Sequence, residues 1–265
     1  MKILAVGDPH GDKNIFNIPI EKDIDAIFIT GDLGKSDLIR KYHFEYVIKR
    51  GLKTWKDAIP KEELEKVYLE IINSSYKVLK YFCSKKPTFY VLGNLREIRT
   101  ENIKRDSDKF GLSLPIFEEK VKALKNLNNI GLSTTEFNDL KIGGIPYFES
   151  LEWIKEFSPK NEKLIELAKK EEPPIGKFID ALPKLDILLT HIPPYSILDE
   201  VKSEHVPKEW IGKHAGNKKI LDYIKKYKPR LVLCGHIHES KGKQKIGRTE
   251  VYNLGSSGDY EIIEI

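Results

Sequence analysis

The chain has 265 residues, 45 basic against 40 acidic, and a formal charge of +5; such a length buries a large core and is read as one domain over residues 1–265. The mild, dispersed charge excess suits a small anionic substrate and does not by itself mark a nucleic-acid groove. No stretch reaches the ~20 apolar residues of a membrane span, MKILAVGD lacks the features of a signal peptide, and Cys83 and Cys234 form no spacing motif, so a reducing, cytoplasmic setting is expected.

In chain order, short β-rich segments recur and each ends in polar residues. Lys2–Val6 leads into Gly7-Asp8 and then His10, Asp25–Thr30 into Gly31-Asp32, and Thr88–Leu92 into Gly93-Asn94. Further on, Asp186–Thr190 leads into His191 and Arg230–Cys234 into Gly235-His236-Ile237-His238. Runs such as AIFI, ILLT and LVLC read as strands covered on both faces. Lys141–Ile145 and Glu250–Leu254 read as additional strands and the final YEIIEI as an edge strand. Between them, Glu62–Phe82 carries one apolar stripe of helical period, and Asn217–Lys226 is a shorter helix with Asn217 as its N-cap. Strands alternating with helices indicate a layered α/β domain. Residues 96–117 and 149–184 read as excursions from the core, either walls or a lid over a site, or else ordinary surface helix and loop.

Seven ligand-type residues stand at these strand ends: Asp8, His10, Asp32, Asn94, His191, His236 and His238. Each has a plainer reading alone, as a turn aspartate, a left-handed asparagine or a core histidine. The carboxyl ends of strands in an α/β sheet converge on one crevice, so the set is more telling than its members. Carboxylates and neutral imidazoles suit Mn, Fe, Zn, Co or Ni, and Cys234, which precedes its turn, is expected to point into the core. Seven donors exceed one tetrahedral site but suit two divalent ions about 3.5–4 Å apart sharing a carboxylate, an arrangement that clamps a phosphate and activates a hydroxide.

Asp8-x-His10, Gly31-Asp32, Gly93-Asn94, His191 and Gly235-His236-x-His238 resemble the motifs of the calcineurin-like metallophosphoesterases, in order and across nearly the full chain. The resemblance implies a four-layer αββα sandwich with two mixed sheets. It implies that Asp8, His10 and His238 bind a first metal, that Asn94, His191 and His236 bind a second, and that Asp32 bridges them, with manganese favoured. It further implies hydrolysis of phosphodiesters by attack of a metal-bridging hydroxide, with Asp32, Asn94 and His10 as catalytic residues. HIPPYSILDE, CGHIHESKG and VYNLGSSGDY look like a small-phosphodiesterase subgroup.

One position departs from the family pattern. Many members carry a proton-donating histidine after Gly-Asn, where this chain has Leu95. General acid help is worth ~10²–10⁴ in rate, so His214 is considered as a substitute donor, beside the reading of an exposed loop histidine. Arg96 and Arg99 are candidates to bind a substrate phosphate, or else pair with Glu97 or Glu101, and the amides of the Asn217 helix start are a further anion site. Tyr147, Phe148 and Tyr195 flank the presumed mouth and stack on a base or simply pack. His43 and His205 carry no case. The expected partner is a small phosphoester, with a nucleotide among the options and the oligomeric state open. Two rivals stand beside this reading: a nuclease of the same fold, and a metal-binding scaffold with little turnover.

Overall fold

The computed structural model describes residues 1–203 and 206–265, so His205 lies outside the described residues. The strands are β1 (Lys2–Val6), β2 (Ala26–Ile29), β3 (Thr88–Tyr90), β4 (Leu127–Asn129), β5 (Ser133–Phe137), β6 (Leu140–Ile145), β7 (Ile187–Thr190), β8 (Leu231–Cys234), β9 (Gly242–Ile246), β10 (Thr249–Asn253) and β11 (Tyr260–Glu264). They form two mixed sheets, ordered β11-β1-β2-β3-β4 and β5-β6-β7-β8-β10-β9. In the first, β1 to β4 run parallel and β11 returns antiparallel beside β1. In the second, β6, β7, β8 and β10 are parallel, with antiparallel β5 and β9 at the edges.

The alternation of side chains along each strand shows how the layers stack. Ile3 and Ala5 of β1 and Ala26 and Phe28 of β2 pack against Ile187 and Leu189 of β7 and Leu231 and Leu233 of β8, which makes the core between the sheets. Their neighbours Leu4, Val6, Ile27 and Ile29 face outward into a second core. That core is closed by helix α2 (Lys61–Cys83), whose Leu64, Val67, Tyr68, Ile71, Ile72, Val78, Leu79 and Phe82 are buried at helical spacing. On the other side, Leu188, Val232, Cys234 and Val251 face a third core with Ile175, Ile179, Ile220 and Ile224. Three cores between helix, sheet, sheet and helix make the four-layer sandwich, and Cys234 does point inward. A single doubly wound sheet would have two.

Counting along the chain, α1 is Asp37–Tyr42, α3 is Thr100–Phe110, α4 is Phe117–Val121, α5 is Leu151–Phe157, α6 is Glu162–Ala181 and α7 is Lys218–Tyr227. The two excursions are thus largely helical. The first is tied into the α2 core by Ile98, Ile103 and Phe117. The second contributes Ile175 and Ile179 to the outer core, and α6 runs on through Pro173 and Pro174. No helix among the described residues is long and apolar enough to cross a membrane.

Candidate metal centre

The carboxyl ends of β1, β2 and β3 in one sheet and of β7 and β8 in the other meet at one edge of the sandwich. Asp8 and His10 follow β1, Asp32 follows β2, Asn94 follows β3, His191 follows β7, and His236 and His238 follow β8. His10, Asp32 and His236 have φ of 47°, 37° and 66°. These left-handed conformations are uncommon for residues with a side chain, and they turn the chain sharply enough to aim each side chain back across the strand end. The glycines beside the ligands have a steric reason. A Cβ on Gly93 would collide with the Asp32 carboxylate, and one on Gly235 would collide with that of Asp8.

Asp8 is fully buried at the centre of the arrangement. Its Oδ1 accepts from the Thr30 hydroxyl at 2.6 Å, and its Oδ2 accepts from the His236 amide at 2.8 Å and faces His238 Nε2 at 3.0 Å. Asp32 Oδ1 accepts the Leu95 amide at 3.0 Å, which leaves Oδ2 between His10 Nε2 at 3.9 Å and His191 Nε2 at 4.0 Å. Two groups of donor atoms come within 4.8 Å of one another: Asp8, His10 and His238, and Asp8, Asp32 and His191. Asp8 is shared by the two, and Asp32 Oδ2 lies between histidines of each. The remaining two residues adjoin the second group. Asn94 Oδ1 is 3.0 Å from His191 Nε2, and the His236 ring centroid is 4.9 Å from that of His191. All seven residues read from the sequence are therefore brought together.

Several atoms in this cluster are in place for a cation. His191 Nδ1 lies 2.9 Å from the Thr30 carbonyl, an acceptor, so Nδ1 is the donor there and Nε2 is turned toward the centre, 3.0 Å from Asn94 Oδ1. His10 Nε2 is buried without a hydrogen-bond partner among the described residues. Burial pushes the pKa of His10 down and that of His236 to about 3, so both rings are neutral at neutral pH. Burial opposes ionisation of Asp8, but the field of His191 and the bond and charge of His238 hold its carboxyl well below the usual range. Burial likewise opposes protonation of His238, whose pKa is nonetheless raised by its bond to Asp8. The donor set fits two divalent ions.

Other anticipated residues are placed differently. Arg96 has neither Glu97 nor Glu101 as its partner. Its guanidinium forks onto Glu171 of α6 at 2.5 and 2.9 Å and reaches Glu149 at 3.3 Å, so its N–H edge is committed to carboxylates while its face lies 5.8 Å from the Tyr147 ring. Arg99 donates to the Tyr147 carbonyl at 2.9 Å and lies 3.5 Å from Glu171. Asn217 is the N-cap of α7: its side-chain oxygen accepts the Ile220 amide at 3.2 Å and its own amide donates to the Pro193 carbonyl at 2.9 Å. Both the side-chain oxygen and the amide of Asn217 are thus engaged within the protein. His214 Nδ1 bonds to Asp199 at 2.7 Å.

A hollow beside His236 is lined by Tyr147, Phe148, Glu149, Trp153, Gly216 and Asn217. Tyr147 meets the rings of His191 and His236 at 5.8 and 5.1 Å, and burial keeps its phenol protonated. Five participants escape a reading from sequence: Thr30, Glu149, Glu171, Asp199 and Asn253. Thr30 offered one signal, since it directly precedes Gly31-Asp32 at a strand end. Asn253, in VYNLG, donates to the Leu198 and Ile237 carbonyls at 2.9 and 2.8 Å and so fixes the loop between the two β8 histidines.

A two-sheet sandwich with paired His/Asp clusters at its parallel strand ends supports a metal-dependent hydrolase. The chain belongs to the calcineurin-like phosphoesterase family, whose model matches residues 1–240. One solved structure is 16% identical to it over 99% of this chain and 98% of that one, with a TM-score of 0.58, a likeness of fold. The crystal structure of TT1561 of Thermus thermophilus is 17% identical, over 98% of this chain and 97% of that one, with a TM-score of 0.47. No curated protein matches the sequence.

Proposed function

We propose that the chain is a dinuclear metal-dependent phosphodiesterase acting on a small phosphoester, with residues 1–265 forming one catalytic domain in the cytoplasm. The observation that carries this reading is the pair of donor clusters sharing Asp8, with Asp32 Oδ2 between histidines of both. Asp8, His10 and His238 would hold the first ion and Asn94, His191 and His236 the second, with Asp32 as the residue available to both. Manganese is the first choice, and Fe, Zn, Co or Ni are compatible with the same oxygen and imidazole donors. When bound, the two ions supply an activated water and a sink for charge on the phosphoryl oxygens.

The protein's own groups do the rest. Thr30 fixes both Asp8, through its hydroxyl, and His191, through its carbonyl, so one residue sets the orientation of a ligand from each sheet. The Leu95 amide orients Asp32, although the Leu95 side chain, buried at 6% exposure, offers no proton to a leaving group. The preference for diesters fits a site without the usual histidine. Amides at the start of α7 support a phosphoryl oxygen.

Manganese-loaded protein is expected to hydrolyse bis-p-nitrophenyl phosphate, with Asp32→Asn at background. Loss of that turnover on chelation and its return with manganese support the reading. Tight metal binding without turnover of this or any other diester would replace it with the scaffold reading.

A further inference from the structure

His214 is the exposed end of a built pair. Asp199 is fully buried, and its two oxygens are completely assigned. Oδ1 takes His214 Nδ1 at 2.7 Å, while Oδ2 accepts the amides of Ser196 at 2.9 Å and Gly216 at 2.8 Å. A buried carboxylate held by two amides fixes the ring's tautomer and orientation, leaving Nε2 as the nitrogen that meets a ligand. The His214 side chain is 39% exposed, so a ligand has access to it.

The ring opens into a second hollow, lined also by Trp153, Phe157, Tyr195, Lys213 and Lys218. Trp153 and Gly216 line both this hollow and the one that contains His236, so the two adjoin across the Ala215-Gly216 strip. Tyr195 lies 5.6 Å from the His214 ring, and Lys218 sits over the Tyr195 ring at 4.8 Å. The cations are largely spoken for. Lys213 pairs with Glu156 at 2.7 Å and Lys218 with Glu152, which leaves Lys155 of the three lysines without such a partner among the described residues. A second phosphate would find little free positive charge here. An uncharged aromatic group would find the half-buried Tyr195, the half-buried Trp153, itself stacked on Phe157 at 5.2 Å and met by Trp210 at 5.8 Å, and one oriented imidazole.

Resting on the phosphodiesterase reading, we propose that Tyr195, Trp153 and the Asp199–His214 pair form a subsite for an aromatic or heterocyclic alcohol, such as a nucleoside, esterified to the phosphate held at the metal centre. The phosphate anchors at the centre, the ring crosses the Gly216 strip, and His214 Nε2 hydrogen-bonds a polar edge of the group.

Calorimetric titration of the manganese-loaded full chain with naphthyl phosphate and with methyl phosphate tests this without relying on turnover. The ratio of their dissociation constants is the readout. Naphthyl phosphate is expected to bind at least about fivefold more tightly, the worth of one ring stacked on an aromatic face. Tyr195→Ala brings the ratio toward one and Tyr195→Phe preserves it, while His214→Ala weakens binding of adenosine monophosphate, whose ring has the polar edge that naphthyl lacks. Equal binding of the naphthyl and methyl phosphates by the wild type, or a preference unchanged in Tyr195→Ala, overturns the subsite and leaves the phosphoester reading intact. Failure of both phosphates to bind overturns both.

Discussion

Replacing Arg96 by methionine separates a structural arginine from a substrate-binding one. The guanidinium holds Glu171 through two charge-assisted bonds and Glu149 through a third contact, and the three side chains are 22%, 16% and 7% exposed. Removing one partner of a largely buried pair leaves the other charge uncompensated, at a cost of about 3 kcal/mol, the low end for buried pairs because Arg96 retains some solvent. For a chain of this size that is roughly 6–10 °C in Tm. The loss should shrink at acid pH. Burial raises the pKa of Glu149, so its folded form is stabilised when protonated and this contribution fades as pH rises. Glu171 is opposed by burial but held low by Arg96, so its share is present above its unfolded pKa and lost as pH falls through the depressed value. Glu149 therefore makes Arg96→Met less harmful at pH 5 than at pH 8, while the Glu171 share is still complete at pH 5, and adding Glu171→Gln should recover part of the loss. Thermal unfolding at pH 5 and 8 reads this. A variant as stable as the wild type but with a sharply raised KM for small diesters would refute the reasoning and return Arg96 to the substrate.

Gly93→Ala should push the Asp32 carboxylate off the Leu95 amide; metal titration is expected to show a loss of about 10–100-fold in affinity, and unchanged affinity would contradict the steric account. Thr30→Val removes the hydroxyl that holds Asp8 while keeping the volume, and metal affinity should drop within the same range. Asp106 is fixed by Arg105 at 2.7 Å, Lys56 at 2.9 Å and Tyr68; burial opposes its charge, yet these partners hold its pKa well below the usual range. Its stabilising share is complete above its unfolded pKa of about 3.9 and is lost as pH falls below that, so acid unfolding should become less steep in Asp106→Asn.

Much of the fold and nearly all of the centre were legible because they rest on local signals. Buried parallel strands are continuous apolar runs, and each ends in a glycine or threonine followed by a ligand, so β1, β2, β7 and β8 and their site residues could be read directly. Strands without such a run could not. In the edge strands β5 (STTEF), which alternates, and β9 (GKQKI), exposed along its middle, no apolar stretch marks the strand, and β4 pairs through only three residues. Period alone did not reveal whether one sheet or two were present. That was set by Ile187 and Leu231 facing Ile3 and Phe28 across the chain. The same distance hid the partners of Arg96, since Glu171 lies 75 residues away and only the packing of α6 brings it near. Asp199 was unreadable for a related reason: its role depends on a loop bringing His214 to it from 15 residues on.

Electron paramagnetic resonance of the manganese-loaded chain, read beside its metal content, tests most directly whether the seven strand-end residues hold a coupled pair of ions. The account predicts two manganese ions per chain with an exchange-coupled spectrum, reduced to one uncoupled ion when His236 or Asn94 is replaced by alanine. One ion per chain, or two with the spectrum of isolated manganese, would contradict it.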